Sequence, residues 1–445
     1  MKYSINDIKG NPLLLNTLKL SSSNIIMYLL PFIVTPILSR IYPTTAFGEW
    51  GIFSSFVSIV TVGIFWGLEN MIIKTNASEE LSGGTLCLAT GTCTTALIAL
   101  VFMIGNLFTF SFFTGFPSKI LLFVYLIAYI LYTIFYNYAN KYQKYSGLAL
   151  NHIIQGGSQA LFRVGLGFWG ISVVNGLILG TTIAQIISMI FLVALMYPTL
   201  VVALKNRKTS VSSMKRLLVK HKNFPLYDAP SSLLSFAAFN LPLLVLSYYF
   251  DKSQIGCYSI ILQLLLLPMS FIGSSMGRVY YQQICQMNDE SEISRKTKNI
   301  LQLMAIIAIL PLLFMACGGD FLLQLYLGSQ WHSVKEIALP LSLWAFPTVL
   351  TQPLLPLYRQ KNKQRTLLRF DLLYFCGGIG SIWLGCLLSD KLYYILICYS
   401  VICLLVKLAL FFNILKLSKI SLSRFIKIYP LWLLAIAILT IRLCQ

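Results

Sequence analysis

Four hydrogen-bonding side chains, His152, Gln155, Gln159 and Arg163, follow one another at intervals of three, four and four residues inside an otherwise apolar stretch. That spacing places them on one face of a helix. One cation beside two amides and an imidazole suits holding a hydroxyl-rich or anionic solute, as the wall of a solvated cavity would. With Gly156, Gly157, Gly165 and Gly167 alongside, the same stripe also reads as an interhelical hydrogen-bond seam in which glycines permit close packing. Both readings stand. Tyr125, Tyr129, Tyr132 and Tyr136, spaced four, three and four, form a second stripe. A tyrosine offers a flat face and a hydroxyl, which suits sugar rings, yet it also packs in cores and anchors at membrane interfaces. An interface belt occupies one depth, whereas this stripe climbs three turns. Asn24 and Tyr28, with Thr35 and Ser39, make a weaker third face, and Ser54, Ser58 and Thr61 another.

Carboxylates are scarce. Glu69, Asp228 and Asp371 fall at the ends of apolar runs. If an ion gradient does work here, one of them is the expected proton or sodium site, because a half-buried carboxyl can hold its proton toward neutrality; a plain helix-terminus charge is the alternative. Lys407 stands about six residues inside an apolar run and either snorkels or meets a solute. Bond-breaking chemistry finds no support: there are three histidines, His152, His221 and His332, and no HExxH, GxSxG or GxxxxGK pattern. Ten cysteines without a CxxC pair suggest neither a disulfide framework nor a metal centre, and no cofactor is expected beyond H+ or Na+ coupling.

The elements that must position these residues are membrane spans. Of 445 residues, 57% are hydrophobic and 11% charged, less than half the charge of a soluble domain. Runs of about 20 apolar residues, the length that crosses the hydrocarbon core, fall near 20–39, 48–68, 85–108, 117–138, 147–170 and 171–197. After the polar stretch Lys205–Phe224 come 226–250, 254–277, 300–319, 336–358, 366–388 and 392–413, then a shorter run at 428–443. This predicts an all-α polytopic membrane protein of about twelve helices with a thirteenth at the end. Its parts are a six-helix lobe over 1–197, a basic cytoplasmic linker over 198–224, a second six-helix lobe over 225–413 and a basic tail over 414–445. Of the 34 Lys and Arg, 26 fall on one set of alternate loops and six on the other, with Arg163 and Lys407 inside helices. Basic loops stay in the cytoplasm, so the N-terminus is expected inside. The net charge of +20 is then a topology signal and an attraction to anionic lipid, not a nucleic-acid interface.

A 208-residue shift aligns Leu38-Ser39 with Leu246-Ser247, Tyr42 with Phe250, Gly48 with Gly256, Trp50 with Tyr258 and Ile52 with Ile260. Six is even, so the two lobes would be related by a pseudo-two-fold along the membrane normal. Pro31, Pro36 and Pro242 lie at matching elements and remove backbone hydrogen bonds there, giving either hinges or static kinks.

The segments ILSRIYPTTAFGEWGIF (37–53), FPLYDAPSSLLSFAAFNLPLLVLSYYFDKSQIGCYSI (224–260), LPMSFIGSSMGRVYYQQ (267–283) and FLLQLYLGSQWHSVKEIA (321–338) resemble polysaccharide flippases, the oligosaccharide-lipid branch of the exporter superfamily that includes multidrug and toxin extrusion proteins. The resemblance implies a protein of the bacterial inner membrane that moves an undecaprenyl-pyrophosphate-linked oligosaccharide repeat unit, of O-antigen or capsule type, from inner to outer leaflet by alternating access around a cationic central cavity. It implies polysaccharide polymerase and chain-length proteins as partners. Lys19 and Arg278, near the inner mouth, would join Arg163 in attracting the pyrophosphate. Two features depart from the pattern: the run at 428–443, and Glu69-Asn70 where the family often carries a basic residue. The rivals are a cation-coupled multidrug antiporter of the same fold, which should line its cavity with carboxylates, and a membrane polymerase or glycosyltransferase, which needs a longer polar loop than this chain has. The transport account rests on the buried polar side chains converging on one wet chamber between the lobes.

Overall fold

The computed structural model describes residues 30–170, 175–204, 209–222, 224–285, 287, 289–361, 363–421 and 438. Its α-helices of nine or more residues are α1 (Leu30–Ile41), α2 (Thr44–Gly63), α3 (Glu80–Leu107), α4 (Lys119–Lys141), α5 (Tyr145–Phe168), α6 (Gly176–Leu204), α7 (Val211–Lys220), α8 (Ala229–Tyr249), α9 (Lys252–Cys285), α10 (Glu290–Ala316), α11 (Gly319–Leu327), α12 (Val334–Thr351), α13 (Gln364–Leu388) and α14 (Leu392–Leu417). No strand occurs among the described residues. Nine of their helical stretches are long and apolar enough to cross a membrane, and the chain is an all-α, multi-pass membrane protein.

A span must satisfy its polar groups internally, since hydrocarbon offers no partner. Helix α3 shows how a threonine-rich sequence manages this. Thr85, Thr90, Thr92, Thr94 and Thr95 each donate their hydroxyl to the carbonyl four residues back, at 2.8–3.0 Å.

The chain divides into two compact units, Met1–Tyr42 with Ile52–Phe236, and Pro43–Gly51 with Ala237–Gln445. In the first, α4, α5 and α6 pack side by side. One end is tied by Glu80, whose buried carboxylate takes Lys141 at 2.6 Å and the Tyr142 hydroxyl at 2.9 Å, while Tyr138 donates to its backbone carbonyl at 2.7 Å. A buried charge this fully partnered is sustainable. Helix α7 lies against α3 through Ser213 and Ser82, 2.8 Å apart, and against the 3-10 turn Ala77–Glu79 before it through Lys220 and Glu79 at 2.9 Å.

The second unit is built around α12. Every residue of this helix is buried except Lys335, Glu336 and Thr348, as expected of a helix apolar on all sides, and it packs against α9, α10 and α14. In the same unit the start of α2 crosses the start of α9 at glycines: a Cβ on Gly48 would overlap the Lys252 carbonyl, and one on Gly256 the Thr44 carbonyl. Thr44 and Ser253 hydroxyls meet at 2.7 Å beside the crossing.

Boundaries differ from the sequence reading in three places. Helix α6 runs on to Leu204, and α7 then forms, so the stretch 198–224 is largely helical. Helix α2 stops at Gly63, leaving Glu69 in a separate 3-10 turn, Leu68–Asn70. Asp371 sits two turns inside α13, not at its N-terminus. The run at 428–443, apart from Ile438, lies outside the described residues.

Candidate functional site

Position around each helix decides whether the polar stripes meet lipid. On α5 the exposed large apolar side chains are Leu150, Ile153, Leu161 and Phe168, which fall within one broad face at about 100° per residue. His152, Gln155, Gln159 and Arg163 occupy the opposite face, roughly 180° away by the same geometry. Helix α4 repeats the arrangement: Ile120, Val124 and Ile127 are exposed, and the tyrosines point roughly 140° from them. Both stripes therefore turn inward.

The α5 stripe meets a matching one on α6. Asn151 and Ser188 bond reciprocally, Nδ2 to the Ser188 carbonyl and the Ser188 hydroxyl to Oδ1, each at 2.9 Å. Gln155 Nε2 donates to Gln185 Oε1 at 2.9 Å. Arg163 Nε and Nη2 donate to the Thr181 hydroxyl at 3.2 and 2.7 Å, and Gly180 leaves room for its stem. The Arg163 carbonyl accepts from Tyr42 at 2.7 Å. Arg163 is 7% exposed, so its guanidinium belongs to the seam between α5 and α6. Of the glycines on α5, Gly167 is packed against Ile41 and Tyr42, whereas a Cβ at Gly157 or Gly165 would meet nothing within 4 Å; close packing comes also from Gly176 and Gly180 on α6.

The seam is not saturated. His152 Nδ1 and Gln185 Nε2 are buried without a hydrogen-bond partner, and Gln155 and Gln159 remain part-exposed. The residues missed by inspection of the sequence are Thr181, Gln185 and Ser188, although their four-and-three spacing carries the same signal as the α5 stripe.

The tyrosines form a continuous column. Ring centroids run from Tyr125 to Tyr129 at 6.4 Å, to Tyr132 at 6.3 Å, to Tyr136 at 5.7 Å and on to His152 at 5.9 Å. Phe53 closes the Tyr125 end edge-on at 6.1 Å. All four tyrosines are half-buried.

Glu69 stands beside this column, close enough for its charge to act on Tyr129 and Cys87. The backbone leading to it is left-handed at two successive residues, strained at Trp66 (φ +52°) and relaxed at Gly67 (φ +75°). Oε1 accepts from the Asn70 amide at 3.2 Å, while Oε2 is buried without a partner. Burial raises the Glu69 carboxyl above the usual carboxylate range.

The second unit holds a separate cluster. The Lys407 ammonium lies 4.4 Å over the Tyr374 ring, whose hydroxyl accepts from Trp344 Nε1. Asp371, one turn before Tyr374, acts electrostatically on Lys407. Tyr358 donates to Asn413 at 2.7 Å nearby on α14. Asp228 closes a π-helical turn, Phe224–Asp228, and Arg278 lies on α9; their side chains are outside the described residues, as are Lys19, Asn24 and Tyr28. No cluster of metal-binding groups occurs among the described residues.

The fold and these inward faces define a polytopic helical membrane protein that keeps aromatic and hydrogen-bonding surface away from lipid. The chain belongs to the polysaccharide biosynthesis protein family, whose model matches residues 37–336. Its fold is similar to that of a multidrug resistance MATE family transporter of the MOP superfamily in an inward-facing conformation (TM-score 0.67, 12% identity, covering 92% of this chain and 99% of the other). It is also similar to the lipid II flippase MurJ in an inward closed conformation (TM-score 0.66, 14% identity, 96% and 97%). A third similar structure is a MOP superfamily transporter from Pyrococcus furiosus, for which a reverse polarity of the binding pocket suggests a different function (TM-score 0.56, 11% identity, 91% and 95%). No curated protein matches the sequence.

Proposed function

We propose that this protein is a flippase carrying an undecaprenyl-pyrophosphate-linked oligosaccharide repeat unit from the inner to the outer leaflet of a bacterial inner membrane, by alternating access, for O-antigen or capsule-type polysaccharide. The observation that carries the reading is the inward orientation of the α4 and α5 stripes. In a polysaccharide biosynthesis protein with the fold of MOP transporters and MurJ, a half-buried column of aromatic rings and unsaturated amides turned from lipid is what a sugar needs to cross. Each sugar hydroxyl stripped of water without a partner costs about 1–3 kcal/mol on protein scales, and a polar wall removes that cost.

Lys19 and Arg278 attract the pyrophosphate at the inner mouth, and the basic loops keep the N-terminus cytoplasmic. Arg163 acts from behind the wall, through its bonds to Thr181, and not as an exposed anion ligand. Glu69 and the Asp371–Lys407 pair are the groups suited to coupling with H+ or Na+. Export feeds a polysaccharide polymerase and its chain-length partner. Deletion should abolish surface polysaccharide while single lipid-linked repeat units accumulate in the inner leaflet. Normal polysaccharide in the deletion strain would contradict the proposal, and loss of polymer with repeat units already outside would point to a polymerase.

A further inference from the structure

We infer that the column Tyr125–Tyr129–Tyr132–Tyr136–His152 is a stacking track for sugar rings, a subsite that rests on the reading of the chain as an oligosaccharide carrier and specifies where along the chain the sugars bind.

Three observations converge. The rings follow one another at 5.7–6.4 Å with no gap over the length of the stripe. A sugar leaving one ring therefore meets the next within its own width. The column lies on the face of α4 opposite the exposed Ile120, Val124 and Ile127, so lipid does not cover it, and yet its tyrosines stay half-buried while Leu122 and Leu126 on the same helix are fully buried. Tight packing would have sealed the rings as it sealed the leucines.

Beside the column, the Arg163 guanidinium donates to the neutral Thr181 hydroxyl, and Glu69 presents an oxygen without a partner. Pyranose rings with an apolar C–H face and hydroxyl edges fit the column, because the face stacks on a ring and the edges bond phenol groups.

The test uses full-length protein in a strain deleted for the native gene, with surface polysaccharide and inner-leaflet repeat units measured per amount of monodisperse protein recovered from the membrane. Tyr132→Phe and Tyr132→Trp keep the ring and should retain export within about twofold, while Tyr132→Leu and Tyr129→Leu should lose at least tenfold. Export retained by both leucine variants would overturn the track, and export lost equally in Tyr132→Phe would show that the hydroxyl acts and not the ring. If the deletion itself leaves export intact, the carrier reading fails and not the track alone.

Discussion

Gly48 and Gly256 exchange roles in one helix crossing: the missing Cβ of Gly48 makes room for the Lys252 carbonyl, and that of Gly256 for the Thr44 carbonyl. Thr44 and Lys252 are themselves 208 residues apart, as are the two glycines. A contact in which each partner plays both parts is the signature of local two-fold symmetry. It turns the shift read from the sequence into a physical relationship at this crossing.

Because backbone atoms occupy the space, neither helix can yield by a rotamer change. Gly48→Ala and Gly256→Ala should each destabilise by at least about 1–3 kcal/mol, seen as reduced thermal stability of the detergent-solubilised protein. The double variant should cost less than the sum of the two, since one displacement of the crossing relieves both clashes.

Glu69 should make stability fall as pH rises. Burial raises its carboxyl in the folded chain, so between the unfolded and folded values the unfolded state releases a proton that the folded state keeps, and folding weakens with increasing pH. Glu69→Gln should therefore raise the melting temperature at neutral pH, with the gain vanishing once the medium is acidic enough to protonate the carboxyl in both states. Melting curves across pH check this.

Glu79 should behave oppositely. Its hydrogen bond from Lys220 holds the carboxyl below the usual range, so that stabilisation is present above the unfolded value and lost as pH falls through the folded one. Both side chains are partly exposed, which limits the pair to under about 1 kcal/mol. Lys220→Ala should cost no more than that, and hydrogen exchange in α7 should accelerate only modestly.

The Arg163 seam should be sensitive to its acceptor. Thr181→Val keeps the shape and removes the hydroxyl that takes two guanidinium bonds. Leaving part of a buried donor unsatisfied costs about 1–3 kcal/mol, which a denaturation series compared with Thr181→Ser, expected near wild type, can resolve.

Span positions were legible because an apolar run of helix-crossing length has few other fates, and the α5 and α4 stripes were legible because two periodicities, three and four, recur without interruption. What escaped notice depended on partners distant in sequence. Arg163 reads as a cavity cation or as part of an interhelical seam, and only Thr181 and Gly180, both outside its own helix, show what it touches. Asp371 reads as a terminus charge because the start of α13 is polar, and Lys407, which defines its setting, is 36 residues on. Helix α7 hid within a basic stretch too short and polar to look like a span, with Leu217 its one buried residue and its contacts to Ser82 and Glu79 supplied by a distant part of the chain.

Movement of a lipid-linked oligosaccharide between leaflets, the proposed function, is tested most directly by reconstitution. Proteoliposomes holding a fluorescent undecaprenyl-pyrophosphate oligosaccharide, labelled on the sugar and confined at first to the inner leaflet, are exposed to a membrane-impermeant quencher. Wild-type protein should render the label quenchable many times faster than empty liposomes do, and Tyr132→Leu should not. Quenching no faster than in empty liposomes, with correctly folded protein present and each candidate coupling ion supplied in a gradient, would contradict the proposed function.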